Sequence, residues 1–258
     1  MSIAPEPEEI YQRTREEGRR RLSRPLLELS ATALVAGFDV AFGLVALGTA
    51  SALTEKRFGT DVGHLVGSLA FGVGFVFIVV GRSELFTENF LVPIAGLERT
   101  RASWLKLTEL WLVSPLFNLL GGFALIAIVT THGVLPDGTG TPLEDLATGL
   151  DENGLPAAFL SAVAAGALIT LMTWLVEGSE SMGIRIVCAW IVGAVLTLAA
   201  LNHVVVATLE LFFGIRYGAG IGSGDLFENV GVAAVGNLVG GLVFVTMTRF
   251  GQAFGAAR

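Results

Sequence analysis

GRSELFTEN, residues 81–89, interrupts an apolar run that otherwise extends over residues 65–97. A second polar break, Asn202-His203, divides the apolar run 186–213. When a membrane helix is interrupted, its freed backbone N–H and C=O groups find no partner in lipid. Such breaks therefore occur where they are buried in protein or line a cavity. We predict that both breaks lie inside a membrane protein, near the bilayer midplane, and face each other.

The composition indicates a bilayer protein. Of the 258 residues, 53% are hydrophobic and 33 are glycine, and the mean hydropathy is +0.70. A helix needs about 20 apolar residues to cross the hydrocarbon core. Apolar runs occur at residues 28–53, 65–97, 107–131, 157–176, 186–213 and 226–250. We predict an all-α membrane protein with six transmembrane helices, of which helices 2 and 5 are broken at the midplane.

The positions of Lys and Arg predict the orientation, because cytoplasmic segments are enriched in them. The connection 132–156 contains neither residue type, which favours an external loop. With this loop outside, 12 of the 16 Lys and Arg residues face the cytoplasm. We predict a cytoplasmic N-terminal arm (1–27), a six-helix transmembrane channel domain (28–250) and a cytoplasmic tail (251–258) in the inner (plasma) membrane. The arm is either a basic anchor or an amphipathic helix lying along the surface.

Several classes of function receive no support from the sequence. It contains no HExxH, GxSxG, CxxC or phosphate-binding glycine loop, so we predict no enzyme activity, no metal and no cofactor. The arginines of the N-terminal arm are mixed with glutamates, which argues against nucleic-acid binding. The acidic opening stretch does not read as a cleaved signal. Cys188 is the only cysteine, which excludes an internal disulfide.

Two similar segments indicate an internal repeat. NLLGG at residues 118–122 is matched by NLVGG at residues 237–241, an offset of 119 residues. The same offset carries Glu84 of the first break onto His203 of the second. Each half holds three spans, so the two halves insert with opposite orientation. We therefore predict two inverted three-helix repeats.

The two breaks also predict a site for a small anion. Half-helix N-termini present free N–H groups and the positive end of the helix dipole, which favour negative charge. Apolar rings such as Phe71 would exclude hydrated ions. A protonated His203 would attract an anion and give it a proton, so that a weak acid crosses the apolar rings as a neutral molecule. The alternative role of His203 is a neutral ring hydrogen-bonded to structure at the helix break.

At these residues the sequence resembles the formate/nitrite transporter family. SELFTEN, residues 83–89, is similar to the family's G-[AS]-[ED]-L-F-T-x-N loop, and His203 is similar to its central histidine. The resemblance covers nearly all six spans. It implies aquaporin-like protomers, a homopentamer in the lipid bilayer, and passage of formate, nitrite, hydrosulfide or a related small anion or weak acid. The candidate pore residues are His203, Thr87, Leu85, Phe71, Leu196 and Asn202, with Asp39, Arg82, Glu84, Asn118 and Asn237 as accessory candidates.

The resemblance implies particular roles for some of these residues. Phe71 corresponds to a constriction phenylalanine, and Leu85 and Thr87 correspond to loop residues near the pore. Asn118 and Asn237 correspond to asparagines that support the loops; the alternative is ordinary hydrogen bonding between helices beside glycine pairs.

The sequence departs from the family pattern beside the histidine. Where the family commonly has Glu-His-Ser-Ile-Ala-Asn, residues 202–207 read NHVVVA. Leu196 replaces a second constriction phenylalanine, and an expected polar residue of the fourth helix falls near Thr170. These changes leave the substrate open. The alternatives are a channel of the same fold for neutral solutes or another ion, and a membrane scaffold that does not transport.

Charged residues within or beside the spans give two further hypotheses. Asp39 lies mid-span in the first helix, and an intramembrane carboxylate is a functional candidate, with Arg82 as a conceivable partner. A structural hydrogen bond between helices or protomers is the alternative. Glu177 and Glu180 flank the cytoplasmic end of the fourth span. They form either a solvated turn or part of a vestibule, where they would favour cations or neutral solutes.

Overall fold

The computed structural model describes residues 5–152 and 154–256, and no strand occurs among the residues it describes. Residues 1–4 of the predicted arm and 257–258 of the predicted tail lie outside the described residues. A 3-10 segment, Phe86–Phe90, precedes α4, and a π-helical segment, Gly240–Thr246, joins α10 to α11. The helices are α1 (Pro7–Leu22), α2 (Leu26–Phe58), α3 (Thr60–Gly81), α4 (Val92–Gly96), α5 (Arg101–Val129), α6 (Gly140–Asp151), α7 (Leu155–Glu177), α8 (Met182–Leu198), α9 (Val204–Tyr217), α10 (Ser223–Val239) and α11 (Met247–Ala256).

Five helical stretches of the described chain are long and apolar enough to cross a bilayer. They are Leu26–Phe58, Thr60–Gly81, Arg101–Val129, Leu155–Glu177 and Ser223–Gly255. The remaining predicted span is divided between α8 and α9, which have 17 and 14 residues and are each short of a full crossing. Large apolar side chains such as Leu112 and Leu160 are exposed on these helices. Such faces suit lipid or a neighbouring subunit rather than water.

Each interruption coincides with an uncommon backbone conformation. α3 ends at Gly81, and Arg82 beyond it has a φ of 57°. α8 ends at Leu198, and Ala200 has a φ of 46° before α9 begins at Val204. Residues with a Cβ rarely adopt a positive φ, and these two are the non-glycine cases among the described residues. The surrounding contacts therefore hold the chain in these two turns.

The N-terminal arm contains a packed amphipathic helix, α1, which lies against α4 and α11. Glu8 and Glu9 lie in its first turn and arginines in its last turn, as the helix dipole favours. Gly18 allows α1 to approach α4, because a Cβ at this position would overlap the carbonyl oxygen of Val92. Close packing thus ties the arm to the chain that follows the first break.

The connection predicted as an external loop contains a helix that the sequence analysis did not predict. α6 packs against α9 and α2, and buries Leu143 and Ala147. The glycine and proline residues of the connection 132–156 had indicated a loop. However, Pro142 lies in the first turn of α6, where a missing N–H leaves no helical hydrogen bond unmade.

Candidate functional site

The two interruptions meet at a hydrogen bond between Thr87 and His203. Thr87 lies in the 3-10 segment, and His203 immediately precedes α9. Thr87 Oγ1 is 2.6 Å from His203 Nε2, and both side chains are fully buried. The structure therefore brings together two of the predicted pore residues, from segments far apart in the sequence.

The other ring nitrogen of His203 determines where the neutral ring carries its proton. Nδ1 accepts a hydrogen bond of 3.2 Å from the backbone N–H of Val206, and so caps α9. Because this nitrogen is an acceptor, the neutral ring is protonated at Nε2 and donates to Thr87 Oγ1. The Thr87 hydroxyl keeps its own proton for another acceptor. A second proton on the ring would have to replace the hydrogen bond from Val206.

Asn118 of α5 holds the chain at the first interruption. Its Oδ1 accepts from the backbone N–H of Phe86 at 3.0 Å, and its Nδ2 donates to the carbonyls of Ala33 and Glu84 at 2.8 and 2.9 Å. These bonds satisfy backbone groups that leave the helical pattern at the break, as burial requires. The side chain thus fixes the loop that carries Thr87.

Asn237 of α10 makes the same three bonds at the second interruption. Its Oδ1 accepts from Val204 N at 2.9 Å, and its Nδ2 donates to the carbonyls of Ala162 and Asn202 at 2.8 and 3.0 Å. Both asparagines therefore support the loops directly, in addition to joining helices. Neither residue is exposed.

These matched bonds correct the register inferred from sequence. The carbonyls of Glu84 and Asn202 hold equivalent positions in the two sets of bonds. Leu85, the next residue of the first half, is therefore equivalent to His203 of the second. The offset of 119 residues holds for the asparagines and had paired Glu84 with His203. The breaks differ by one residue from that offset because the connections within the two halves are not of equal length.

Two glycines make matching close approaches to these asparagines. A Cβ at Gly37 of α2 would overlap the carbonyl oxygen of Asn118, and a Cβ at Gly166 of α7 would overlap that of Asn237. Only glycine permits backbones to pack at this separation. The α2–α5 and α7–α10 pairs are therefore joined in the same way.

An aromatic side chain missed by the sequence analysis packs beside the histidine. The ring of Phe75 lies 6.4 Å from that of His203, centroid to centroid, in an edge-on arrangement. Phe71, the predicted constriction residue, lies one turn earlier on α3, with its ring 5.7 Å from Phe75. Both are fully buried. The spacing of four residues on one helix face was the available sequence signal.

A charged cavity of about 460 Å³ lies on the side of the breaks next to α1. Glu84 is buried behind it and pairs with Arg24 and with Arg21, whose Nη1 is 3.1 Å from Glu84 Oε1. Glu88, which lines the cavity, is 3.5 Å from the same Arg21 nitrogen. Glu84 was predicted as an accessory residue, but its two arginine partners were not predicted. These ion pairs bind the N-terminal arm to the loop that carries Thr87.

Glu17 and Arg21 of α1 lie at the edge of this network. Burial alone would raise the pKa of Glu17, but hydrogen bonds and charges from Arg20 and Arg21 outweigh it, and the pKa is lowered. Burial alone would lower the pKa of Arg21, but the charges of Glu84, Glu88 and Glu17 outweigh it, and the pKa is raised. Both side chains are therefore held in their charged forms by their partners.

The structure gives different environments to the other charged candidates. Asp39 accepts a hydrogen bond of 2.6 Å from Ser83 Oγ, and Arg82 instead lies 3.7 Å from Glu17, with a largely exposed side chain. The suggested Asp39–Arg82 pair is therefore wrong. Glu177 lines the charged cavity, whereas Glu180 is exposed and pairs with Arg13 at 2.8 Å.

The remaining candidates lie at or beside the two breaks. Leu85 is buried, and its carbonyl accepts from Glu88 N at 3.1 Å. Asn202 donates from its backbone to Ser161 Oγ at 3.0 Å and from Nδ2 to Asn229 Oδ1 at 2.7 Å. Leu196 lines a smaller cavity of about 160 Å³ on the α6 side.

Long apolar helices and two buried interruptions joined by a polar contact define a multi-pass membrane transport protein. The family model described as formate/nitrite transporter matches residues 8–251. The chain belongs to the formate/nitrite transporter family, as its sequence motifs indicated. This family consists of transporters and channels, so the prediction that the chain is not an enzyme is confirmed.

Individual relatives are similar over nearly their whole length. The "Uncharacterized transporter YrhG" of Bacillus subtilis is 26% identical over 247 residues, which cover 95% of this chain and 92% of the relative. The "Probable formate transporter" of Methanothermobacter thermautotrophicus is 27% identical over 247 residues, covering 86% of this chain and 87% of the relative.

A solved structure shares the fold. It is a pentameric formate channel with formate bound, and it matches 87% of this chain and 96% of its own with a TM-score of 0.74 at 21% sequence identity. The all-helical channel architecture expected from sequence is therefore confirmed at the level of the fold.

Proposed function

We propose that this protein is a channel for small monovalent anions of weak acids, such as formate or nitrite, and that the anion gains a proton near His203. The hydrogen bond between Thr87 and His203 is the observation that carries the proposal. It places a ring N–H and a free hydroxyl proton at the point where the two interruptions meet. Two relatives and a structural neighbour are named for formate or for transport, which supports the substrate class.

The surroundings of this contact favour a neutral permeant over a bare ion. Phe75 packs edge-on against the His203 ring, Phe71 packs at a tilt against Phe75, and Leu196, the predicted second constriction residue, is buried on α8. An anion crossing these side chains would lose its hydration without a matching charge. Addition of a proton removes that cost. The donors at His203 and Thr87 are available to orient an anion during this step.

The proposed topology is six crossings in two inverted three-helix repeats, with helices 2 and 5 broken near the midplane. The matched bonds of Asn118 and Asn237 and the matched contacts of Gly37 and Gly166 support this repeat. In this arrangement, α8 and α9 together form the fifth crossing, and α3 and α4 with the loop between them form the second. The predicted domain division at residues 1–27, 28–250 and 251–258 belongs to the same proposal.

We further propose a homopentamer in the inner membrane, with both termini in the cytoplasm. The pentameric state of the structural neighbour supports the first part, and the excess of Lys and Arg on the α1 side supports the second. Exposed apolar side chains such as Leu112 and Leu160 are available for subunit and lipid contacts.

Uptake of labelled formate and nitrite into proteoliposomes across a set pH gradient tests the proposal. We expect saturable uptake that rises with external acidity and is strongly reduced in His203→Gln and His203→Ala. His132→Gln is the matched control, because His132 is exposed in the connection before α6 and should leave uptake unchanged.

Uptake that does not depend on His203 would contradict the role of this residue. Liposome swelling in a neutral osmolyte, without anion uptake, would instead indicate the alternative neutral-solute channel. Failure of all tested solutes to cross a well-assembled oligomer would indicate the scaffold.

A further inference from the structure

Glu210 is a buried carboxylate that the proposed mechanism does not use. It lies in α9 and is 7% exposed. Seven residues separate it from His203, which is about 10 Å along a helix axis and nearly two full turns. Val206, between them, is three residues after His203 and four before Glu210. The three residues therefore form one row on the same face of the helix.

Glu210 opens into the cavity on the α6 side. This cavity has a volume of about 160 Å³ and is lined by both Val206 and Glu210, together with Leu196 and Leu201. Its wall uses the C-terminal end of α8, whereas the charged cavity next to α1 uses the N-terminal end of α8. The two cavities therefore lie on opposite sides of the Thr87–His203 contact.

No ion pair or hydrogen bond of the Glu210 carboxylate occurs within residues 5–152 and 154–256. The other charged group in the cavity is Asp145 of α6, which is also acidic. The remaining helices packed against α9, which are α2, α5 and α10, contribute no titratable side chain to the lining. The α6 side is thus acidic and otherwise mainly apolar, in contrast to the arginine-rich α1 side.

We infer that Glu210 makes passage through the α6-side cavity depend on its own protonation, so that the anion of a weak acid passes this side while the carboxylate holds a proton. Ionised, the carboxylate repels a monovalent anion that has to pass it. Protonated, it carries no charge and offers an O–H donor to that anion. The proton comes from the solution on the α6 side and returns there when Glu210 ionises again. This inference rests on the proposed function and adds a second proton-dependent position to it.

Charge removal at this position tests the inference. We would measure exchange of labelled formate in proteoliposomes held at the same pH on both sides, at about pH 5 and about pH 8, for the natural protein and Glu210→Gln. The ratio of variant to natural uptake cancels the change in formic acid concentration with pH. Because a charge a few ångströms away is screened only partly in such a cavity, we expect Glu210→Gln to raise uptake about tenfold at the higher pH. Near the lower pH, the ratio should approach one.

Three further variants make the outcome specific. Glu210→Asp retains the ionisable group and should retain the natural pH profile. Glu228→Gln removes the same charge from an exposed position of α10 and should change nothing. Glu210→Met removes the charge with an apolar side chain of similar length, and takes the place of Glu210→Gln if that variant does not assemble.

Two results have distinct meanings. A ratio that stays near one at both pH values in a folded, charge-free variant overturns the role of Glu210 while leaving the proposed function intact. Absence of uptake by the natural protein at both pH values overturns the proposed function itself, and with it the inference.

Discussion

Replacement of Asn118 by alanine removes the three hydrogen bonds that hold the first interruption. The Phe86 amide and the carbonyls of Ala33 and Glu84 then lose a partner at a site with no solvent exposure. An unsatisfied buried group costs about 1–3 kcal/mol, and the amide is the most costly because a carbonyl retains a second lone pair. We therefore expect the free energy of unfolding to fall by about 3 kcal/mol.

Thermal unfolding in detergent, followed by tryptophan fluorescence, measures this loss. For a chain of this size, 1 kcal/mol shifts Tm by about 2–4 °C, so Asn118→Ala should lower Tm by about 6–12 °C. Asn237→Ala should cause a similar shift, because it removes the matching three bonds.

Ser114→Ala is the control for this pair. Ser114 is buried on α5 one turn before Asn118, but its hydroxyl donates to the carbonyl of Leu110 in the same helix, at 2.7 Å, and has no other hydrogen-bond partner among residues 5–152 and 154–256. Its loss should shift Tm by no more than about 2 °C. If Asn118→Ala is as stable as Ser114→Ala, the asparagine does not hold the break and the reasoning is refuted.

Three other predictions concern the network next to α1 and the close helix contacts. Arg24→Gln leaves the buried Glu84 carboxylate with one arginine in place of two, and should lower Tm by several degrees more than the same change at exposed Arg19. Because the pKa of Glu17 is lowered, its stabilisation of α1 is complete above about pH 4.5 and is lost below it. Hydrogen exchange of α1 should therefore increase on acidification, and Glu17→Gln should abolish that dependence. Gly166→Ala places a Cβ on the Asn237 carbonyl and should prevent assembly, as judged by size-exclusion chromatography, whereas alanine at exposed Gly224 should not.

The sequence predicted the membrane class and the two interruptions, because both depend on local composition. A charged stretch inside an apolar run has few structural explanations. The matching asparagines, Asn118 and Asn237, were visible in the similar segments NLLGG and NLVGG. The prediction that the two breaks face each other followed from the requirement that freed backbone groups be buried in protein or line a cavity; the contact between Thr87 and His203 was not itself predicted.

Contacts between distant segments could not be predicted in the same way. The partners of Glu84 are arginines about 60 residues earlier, and nothing in the local pattern distinguishes them from the other arginines of the arm. Arg82 suited Asp39 as a partner by charge alone, but the left-handed turn at Arg82 leaves its side chain largely exposed at the charged cavity next to α1, and Ser83 bonds Asp39 instead. Glu210 went unnoticed because a single acidic residue near a helix end is usually solvated. Its significance depends on the cavity that α6 helps to close.

In the proposed mechanism, Thr87 and His203 act as one unit on the permeating anion. A double-mutant cycle tests it directly, with formate uptake measured for Thr87→Val, His203→Gln and the two combined. If the residues act together, each single change should lower uptake about tenfold and the combination should lower it little further, because the first change already breaks the shared hydrogen bond. Losses that multiply to about a hundredfold in the double variant would show independent roles and contradict the account.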